Sequence, residues 1–502
     1  MPLTRGNVSE LLGANTDLLE RQAESLSTDA QRVQDIRALA QRVVAELKDS
    51  WTGADLAHLT EQWEHQTSLL LAGASASLDT CAARLRSQSA AQRHTSSADA
   101  GSGVATSISV SPPSPPPAQG SPAGNAAWWR SLSALQQERV IRTHPQWIGN
   151  RDGVSFVARD LANRALLAID RGFLLTIKAG LETALASDWP LGPHNGLIQD
   201  ATKLHQVKDK LASIAAIEAT LAQGDRQLLT LDLSHRRAQA AIANGNVETA
   251  DNVAVFVPGM DSNVTDTIKD YDNEMRHLQQ RAEAESIRAD PTQSSTTATV
   301  TWIGYQTPEL GLDLFDPDTS VASDTTAKTG AASLVPFLRG VGTARDSDAH
   351  LTLLGHSYGS TTAGMALEQE TGVDNAVFFG SPGLGTSHVE DLKLATAGAD
   401  GGQISYIEAK WDPVGDLGVF GADPSHLAGI DHASARASTV VDPGTGEVRH
   451  FNEVTGHASY LVDNSTSQYN MSVVVAGSPQ RQVYDSGMGL GDVLSFPRSL
   501  LG

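Results

Sequence analysis

The sequence predicts an α/β fold, in which a mostly parallel central sheet is covered by helices and is preceded by a helical region. Two observations support this prediction. Helical periodicity dominates up to Gly224, and after it short apolar runs typical of buried strands alternate with helical stretches. The strand-like runs are 228–231, 240–243, 253–257, 298–303, 350–354, 376–379 and 404–407.

The first 90 residues predict a helical hairpin. Apolar or small residues recur at heptad spacing over 19–51, and a second periodic stretch covers 56–85. The two stretches meet at Trp51-Thr52-Gly53, which favours an antiparallel pair of helices. A Trp-x-Gly turn at this place resembles the WXG proteins of type VII secretion, and the resemblance implies a helical protein partner or export. The alternative is a plain packing or dimerisation module.

A segment rich in Ser, Ala, Gly and Pro follows at 91–126. Such a composition buries too little apolar surface to offset the entropy of ordering, so we predict a flexible linker there. One folded domain is expected from 127 to 502. Its helical part, 127–224, has helical patterns at 156–170, 174–186 and 198–223.

The composition excludes several classes of function. The formal net charge of −22, from 58 acidic and 36 basic side chains, opposes nucleic-acid binding. Cys81 is the single cysteine, so no intramolecular disulfide is expected. No signal peptide or apolar run of membrane-spanning length is visible, which makes cytoplasmic residence the default. The spacing of His, Cys and acidic residues predicts no metal site and no cofactor.

The motif Gly355-His356-Ser357-Tyr358-Gly359 provides a candidate nucleophile. A Gly-x-Ser-x-Gly motif alone is weak evidence, so its surroundings decide. The buried strand-like run 351–354 enters the motif, and a helical stretch with small residues, 361–367, leaves it. This strand-turn-helix setting is that of the nucleophile elbow of α/β-hydrolases, which predicts Ser357 as the nucleophile. The alternative is a tight turn without catalytic function.

A nucleophilic serine needs a carboxylate to orient its base, and Asp412 is the predicted acid. It follows the strand-like run 404–407, at the edge of the sheet where such folds bind ligands. The alternatives are Glu408, Asp416 and Asp374.

His457 is the predicted base, because it lies in a late loop and therefore follows the serine and the acid in the required order. His426, His432 and His450 are the alternatives. A histidine taken alone is more often a surface or packing residue than a catalyst.

The loop after the run 253–257 is a candidate oxyanion hole, which needs preorganised backbone donors. We predict the N–H groups of Met260 and Tyr358 as these donors, with Gly259 as the alternative to Met260. A simple turn around a glycine is the structural alternative.

From Trp128 to Leu461 the chain is similar to an actinobacterial family of α/β-hydrolases of unassigned function. The resemblance implies the α/β-hydrolase fold and a triad of Ser357, Asp412 and His457, and it implies no substrate. The matching stretches are 128–129, 144–153, 252–260, 355–360, 380–383, 412–413 and 456–457.

Two classes of function remain open. The first is a serine hydrolase of small-molecule or lipid-like acyl esters, with a peptidase or thioesterase as its nearest variants. The second is a catalytically silent interaction protein that binds a partner through residues 1–90. The segment 261–291 is expected to be either a surface crossover helix or a lid over the site.

Overall fold

The computed structural model describes residues 113–188, 195–292, 295–308, 324–395, 402–415, 419–442 and 445–485, together with single helical positions between Glu20 and Arg86. The chain divides into two compact units, Met1–Ser109 and Val110–Gly502.

The described residues of the first unit are helical and are hydrogen-bonded across long sequence separations. Arg86 donates to Ser27 Oγ at 2.8 Å, and Arg37 donates to Ser68 Oγ at 2.9 Å. Residue 27 thus pairs with residue 86, and residue 37 with residue 68. Pairs nested in this way are expected of two antiparallel helical segments. The Trp51-Thr52-Gly53 turn and Cys81 lie outside the described residues, so the WXG-like hairpin stays a prediction.

In the described part of the second unit, four α-helices precede the sheet: α1 (Pro122–Ser131), α2 (Ala134–Thr143), α3 (Phe156–Asp188) and α4 (Asn195–Leu221). Helix α1 begins with a cap in which the Ser121 side chain accepts from Gly124 N, and Pro122 starts the helix without needing an N–H acceptor. The segment predicted as linker therefore ends earlier than expected, since 122–126 are helical.

Helix α3 is continuous where the sequence predicts two helices, 156–170 and 174–186. Gly172 lies in the predicted gap, and an added Cβ there would contact nothing within 4 Å. A glycine on the open side of a long helix costs only about 1 kcal/mol relative to alanine. The packing of α3 against α4 and the sheet therefore outweighs the local preference for a break.

The described residues form a sheet of eight strands in the order β1-β2-β4-β3-β5-β6-β7-β8. Strands β3 to β8 are parallel to one another, and β2 is antiparallel to both β1 and β4. The structure confirms the predicted mostly parallel sheet. The bounds are β1 Arg226–Asp232, β2 Gln239–Asn244, β3 Asn252–Val257, β4 Thr297–Ile303, β5 His350–His356, β6 Asn375–Phe379, β7 Ile404–Ile407 and β8 Asp431–Ala433. A separate antiparallel pair is formed by β9 (Ser438–Val441) and β10 (Val448–Phe451).

Helices cover both faces of the sheet. They are α5 (Ile268–Ala289), α6 (Asp324–Ala344), α7 (Tyr358–Leu367) and α8 (Thr466–Val475). Val255 of β3 packs in one apolar cluster with α6 and α7, while its neighbour Phe256 packs in a second cluster with α5 and α8. Because successive residues of a strand point to opposite faces, a strand covered on both sides is apolar throughout, as β3 is.

Helix α5 lies within the segment 261–291, and it is a crossover helix between β3 and β4. Its residues Met275, Leu278 and Ala282 are buried in the cluster that contains β3 and α8. Of the two expectations for this segment, the structure supports the crossover helix. None of the described helices is long and apolar enough to cross a membrane.

Candidate active site

Ser357 lies on the turn between β5 and α7, in a backbone conformation that side chains rarely adopt (φ 53°, ψ −132°). The glycines on either side of it are required by space. A Cβ at Gly355 would lie 2.7 Å from Ser360 Cα, and one at Gly359 would lie 2.2 Å from Val257 O. The turn can therefore be this sharp only with glycine at both positions, as the nucleophile-elbow prediction requires.

Hydroxyl groups beneath the turn fix it to the loop after β6. Ser360 Oγ donates to the carbonyl of Ser357 and lies 2.6 Å from Ser381 Oγ. Ser381 Oγ also accepts from Gly383 N at 3.1 Å. The backbone N–H of Ser357 donates to Phe379 O at 3.1 Å. These contacts hold Ser357 against the end of β6 and the loop that follows it.

Asp412 and His457 are joined by hydrogen bonds. His457 Nδ1 lies 2.9 Å from Asp412 Oδ1 and 3.0 Å from Oδ2. Because an ionised carboxylate only accepts, Nδ1 carries the hydrogen and Nε2 is left to accept a proton. Gly380 leaves room for the pair, since a Cβ there would lie 2.7 Å from Asp412 Oδ2 and 3.1 Å from His457 Nδ1.

Asp412 is buried, and burial alone would raise the pKa of its carboxyl. Hydrogen bonds from His457, from Tyr460 and from the backbone of Val414 outweigh burial and lower that pKa below its usual value. Asp412 is therefore a carboxylate at neutral pH, which is the state that orients a histidine base.

Tyr460 is part of the site and was missed by the sequence reasoning. Its hydroxyl donates to Asp412 Oδ2 at 2.5 Å and accepts from Ala409 N at 2.9 Å. Burial, followed by the negative charge of Asp412, raises the pKa of Tyr460 well above its usual value, so the hydroxyl keeps its proton. The only sequence signal is a tyrosine three residues after the predicted base.

Ser357 faces the loop predicted to hold the oxyanion. A Cβ at Gly259 would lie 2.6 Å from Ser357 Cβ and 3.1 Å from its Oγ, so this loop runs directly over the nucleophile. Met260 is the next residue, and Asp261 after it has a positive φ of 58°. Tyr358 is the first residue of α7, at the helix end that favours negative charge. Tyr358 is thus adjacent to Ser357 in sequence, and Met260 directly follows the glycine that lies against Ser357.

Ser357 Oγ is buried and has no hydrogen-bond partner among the described residues. No hydrogen bond therefore joins it to His457 here, although the two residues lie at the same edge of the sheet. Catalytic hydrogen bonds are often long in the absence of substrate and tighten when it binds.

The alternative acids differ in position from Asp412. Asp374 lies before β6, at the opposite edge of the sheet, where it accepts from Leu351 N at 2.8 Å. Glu408 follows β7, and its Oε1 would lie 2.8 Å from a Cβ placed on Gly415. Asp416 lies outside the described residues.

The alternative bases have other partners. His426 lies 2.9 Å from Asp423, and the ring of His450 lies 2.9 Å from Thr439 Oγ1. His432 is on the edge strand β8, with its ring against that of Tyr406. His457 alone among the predicted histidines is hydrogen-bonded to Asp412.

Comparison with known proteins identifies the family. A sequence profile of the family described as alpha/beta hydrolase matches residues 234–413. An uncharacterized protein of Mycobacterium bovis is 30% identical over 261 residues, which make up 50% of this chain and 94% of that protein. The chain belongs to the alpha/beta-hydrolase family. The part of this alpha/beta hydrolase that matches the profile includes Ser357 and Asp412, and His457 lies beyond it.

A longer relative extends the match. An uncharacterized protein of Mycobacterium tuberculosis is 31% identical over 312 residues, which make up 60% of this chain and 45% of that protein. The chain therefore spans less than half the length of this curated relative.

Solved structures similar to this alpha/beta hydrolase include two esterases. An esterase of Pyrobaculum calidifontis is 14% identical, with 55% of this chain and 93% of that chain covered and a TM-score of 0.31. A cold-adapted esterase from an Arctic intertidal metagenomic library is 12% identical, with 51% and 95% covered and a TM-score of 0.29.

Proposed function

We propose that the protein is a serine hydrolase that cleaves carboxylic esters through an acyl-enzyme. The observation that carries the proposal is the hydrogen-bonded pair of Asp412 and His457 at the sheet edge where Ser357 occupies a strained turn between two obligatory glycines. Nucleophile, base and orienting acid are the three groups that acyl transfer needs.

Each residue has a defined role in the proposed reaction. His457 Nε2 takes the proton of Ser357 Oγ as the oxygen attacks the ester carbonyl, and Asp412 stabilises the imidazolium that forms. The N–H groups of Met260 and Tyr358 hold the oxyanion. His457 then gives its proton to the leaving alcohol, and water releases the acid by the same route.

A small-molecule or lipid-like acyl ester is the proposed substrate class. The nucleophile elbow with a backbone oxyanion hole recurs in the lipases and esterases of this fold, which supports an ester over an amide. This is an argument from fold, so the substrate panel below includes peptide and thioester bonds.

Covalent labelling with a fluorophosphonate probe tests the nucleophile. The wild type should be labelled, Ser357→Ala should not, and Ser333→Ala, which changes an exposed serine of α6, should be labelled like the wild type. Absence of labelling in folded wild-type protein would contradict the proposal and favour a catalytically silent interaction protein.

Turnover on p-nitrophenyl esters of graded chain length, beside thioester and peptide substrates, tests the substrate class. Faster turnover of esters than of the other two bonds is expected, and the preferred chain length reports the size of the acyl group. Higher kcat/KM on a peptide or a thioester would replace the ester assignment.

A further inference from the structure

His356 has contacts that the mechanism above does not use. It is the last residue of β5 and directly precedes Ser357. Its ring is half-buried, stacked on Phe379 with centroids 5.1 Å apart, and lies against Tyr460 at 5.8 Å. A residue held this firmly beside the nucleophile also touches the base.

His356 contacts His457 in two ways. Its Nε2 lies 2.8 Å from the carbonyl oxygen of His457, and the two ring centroids are 4.7 Å apart with an interplanar angle of 31°. Since a carbonyl oxygen only accepts, Nε2 of His356 must carry the hydrogen. The same side chain thus holds the backbone of the base and lies along its ring.

The backbone just before His457 is attached to the loop that carries Asp412. Gly456 N donates to Lys410 O at 2.8 Å, and Lys410 pairs with Thr455 in a short bridge. Both attachments lie before His457 in the chain. The hydrogen bond from His356 is the described contact that reaches the carbonyl of the base itself.

The protonation state of His356 suits this position. Burial, followed by the positive charge that His457 can carry, lowers the pKa of His356 to about 4. A neutral ring beside His457 allows an imidazolium to form during catalysis, whereas a second positive charge at 4.7 Å would oppose it.

We propose that His356 is a positioning residue, which sets the carbonyl and the ring plane of His457 from within the nucleophile turn. This inference rests on the proposed hydrolase function, and it makes the end of β5 responsible for placing both the nucleophile and the base. The histidine between Gly355 and Ser357 then has a function of its own in this chain.

Two substitutions separate the donor from the ring. His356→Gln keeps an amide N–H near the position of Nε2 and loses the ring, whereas His356→Phe keeps a ring and loses the donor. We expect kcat to fall about 10- to 100-fold in His356→Phe, with KM changed less than about threefold, and to recover most of the way in His356→Gln. His350→Gln, at the other end of β5, should keep wild-type kcat.

The downfield proton NMR signal of His457 Nδ1–H gives a second readout that does not need turnover. The signal should be present in the wild type and absent in His457→Ala. It should broaden or shift in His356→Phe and stay in His356→Gln. If His356→Phe fails to fold, His356→Asn, whose amide is too short to reach the carbonyl, takes its place with the same expectations.

The two readouts separate the possible failures. Unchanged kcat and an unchanged NMR signal in His356→Phe or His356→Asn would overturn the inference. A wild type without turnover whose Nδ1 signal still responds to His356 would remove the proposed function and leave the positioning of His457 by His356 supported. Equal losses in the Phe and Gln variants would also overturn it, because they would show that the donor is irrelevant.

Discussion

The sheet has an amino edge, where its parallel strands begin, and a carboxyl edge, where they end. These two edges differ in the kind of site that they offer a ligand. A cavity of about 1000 Å³ lies at the amino edge, beside the residues that precede β5, β6 and β7, such as Asp348, Asp374 and Gly402. Among the described residues of the carboxyl edge, positive φ values at residues other than glycine occur at Asp261, Ser357 and Trp411. Backbone strain and converging polar groups, and not cavity volume, mark the candidate active site.

The two edges also differ in how they shift the pKa of a carboxyl group. Burial raises the pKa of Asp374 at the amino edge. Asp412 at the carboxyl edge is also buried, yet its pKa is lowered, because His457, Tyr460 and the backbone of Val414 all donate to it. Burial alone therefore does not set the charge of a carboxyl group, and the hydrogen-bond donors around it decide whether it is ionised.

Substituting these two carboxylates tests the contrast with the largest expected effect. Asp412→Asn should lower kcat by about 10³- to 10⁴-fold, because the histidine loses the partner that fixes its tautomer. Asp374→Asn should leave kcat within about twofold, since it lies at the other edge of the sheet. His457→Ala should lose as much as Asp412→Asn. Near wild-type turnover in either site variant would remove that residue from the assignment.

Replacing a glycine by alanine should lower the stability of the protein at the carboxyl edge and raise it at the amino edge. Gly359→Ala places a Cβ 2.2 Å from Val257 O and 2.4 Å from Pro258 O, so the turn must shift and both stability and turnover should fall, stability by about 3 kcal/mol or more. Gly342→Ala, in α6 beside the amino-edge cavity, meets nothing within 4 Å. It should stabilise the protein by up to about 1 kcal/mol through helix propensity.

Urea unfolding and kcat of both glycine variants measure this difference. A Gly359→Ala protein with wild-type turnover would show that the elbow has more room than its backbone contacts indicate.

Local sequence signals predict much of this fold because they depend on near neighbours. Strands β1 to β7 are read from apolar runs, and the elbow from glycines that a sharp turn requires within five residues. Strand β8, Asp431–Ala433, has only three residues with two of them exposed, so it carries no such run. The predicted break in α3 is absent because tertiary packing outweighs the cost of one glycine.

The site is less completely predicted, for a physical reason. Asp412 and His457 are predicted from the order in which this fold places the acid and the base after the serine. The contacts of Tyr460 with Asp412, and of His356 with the carbonyl of His457, join residues 48 and 101 positions apart. No spacing rule encodes such contacts, since they depend on how loops from different strands meet at one edge.

The pH dependence of stability should reveal His356 as a group that folding keeps neutral. Its pKa falls from 6.5 to about 4 on folding, so the unfolded chain binds more protons between these values and stability falls as pH is lowered through that window. Between pH 7 and 4.5 this costs about 2 kcal/mol. Its titratable neighbours, His457 and Asp412, are unchanged in the variant His356→Gln, which therefore isolates the contribution of His356.

Urea unfolding at the two pH values measures the effect. His356→Gln has no titrating group at this position, so its loss of stability on acidification should be smaller than that of the wild type by about 2 kcal/mol. The same loss in both proteins would mean that His356 titrates normally and that its ring is more hydrated than its contacts suggest.

Removing one hydrogen-bond donor from Asp412 should have the smallest effect on kcat, and it tests a single contact of the site. Tyr460→Phe keeps the ring packed on Phe379 and removes the hydroxyl that donates to Asp412 Oδ2. We expect kcat to fall about tenfold, because Asp412 keeps its bonds to His457 and Val414 but holds its charge less firmly. The pKa of Asp412 should rise toward its usual value.

Tyr469→Phe is the matched control, since this buried tyrosine donates to Arg481 O at 3.1 Å outside the site. Both variants should lose about 1 kcal/mol of stability, and only Tyr460→Phe should lose kcat. If the two variants share a loss of stability with unchanged kcat, then His457 and Val414 suffice to hold the acid. Tyr460 would in that case contribute to the fold of the carboxyl edge and leave its chemistry to the other donors.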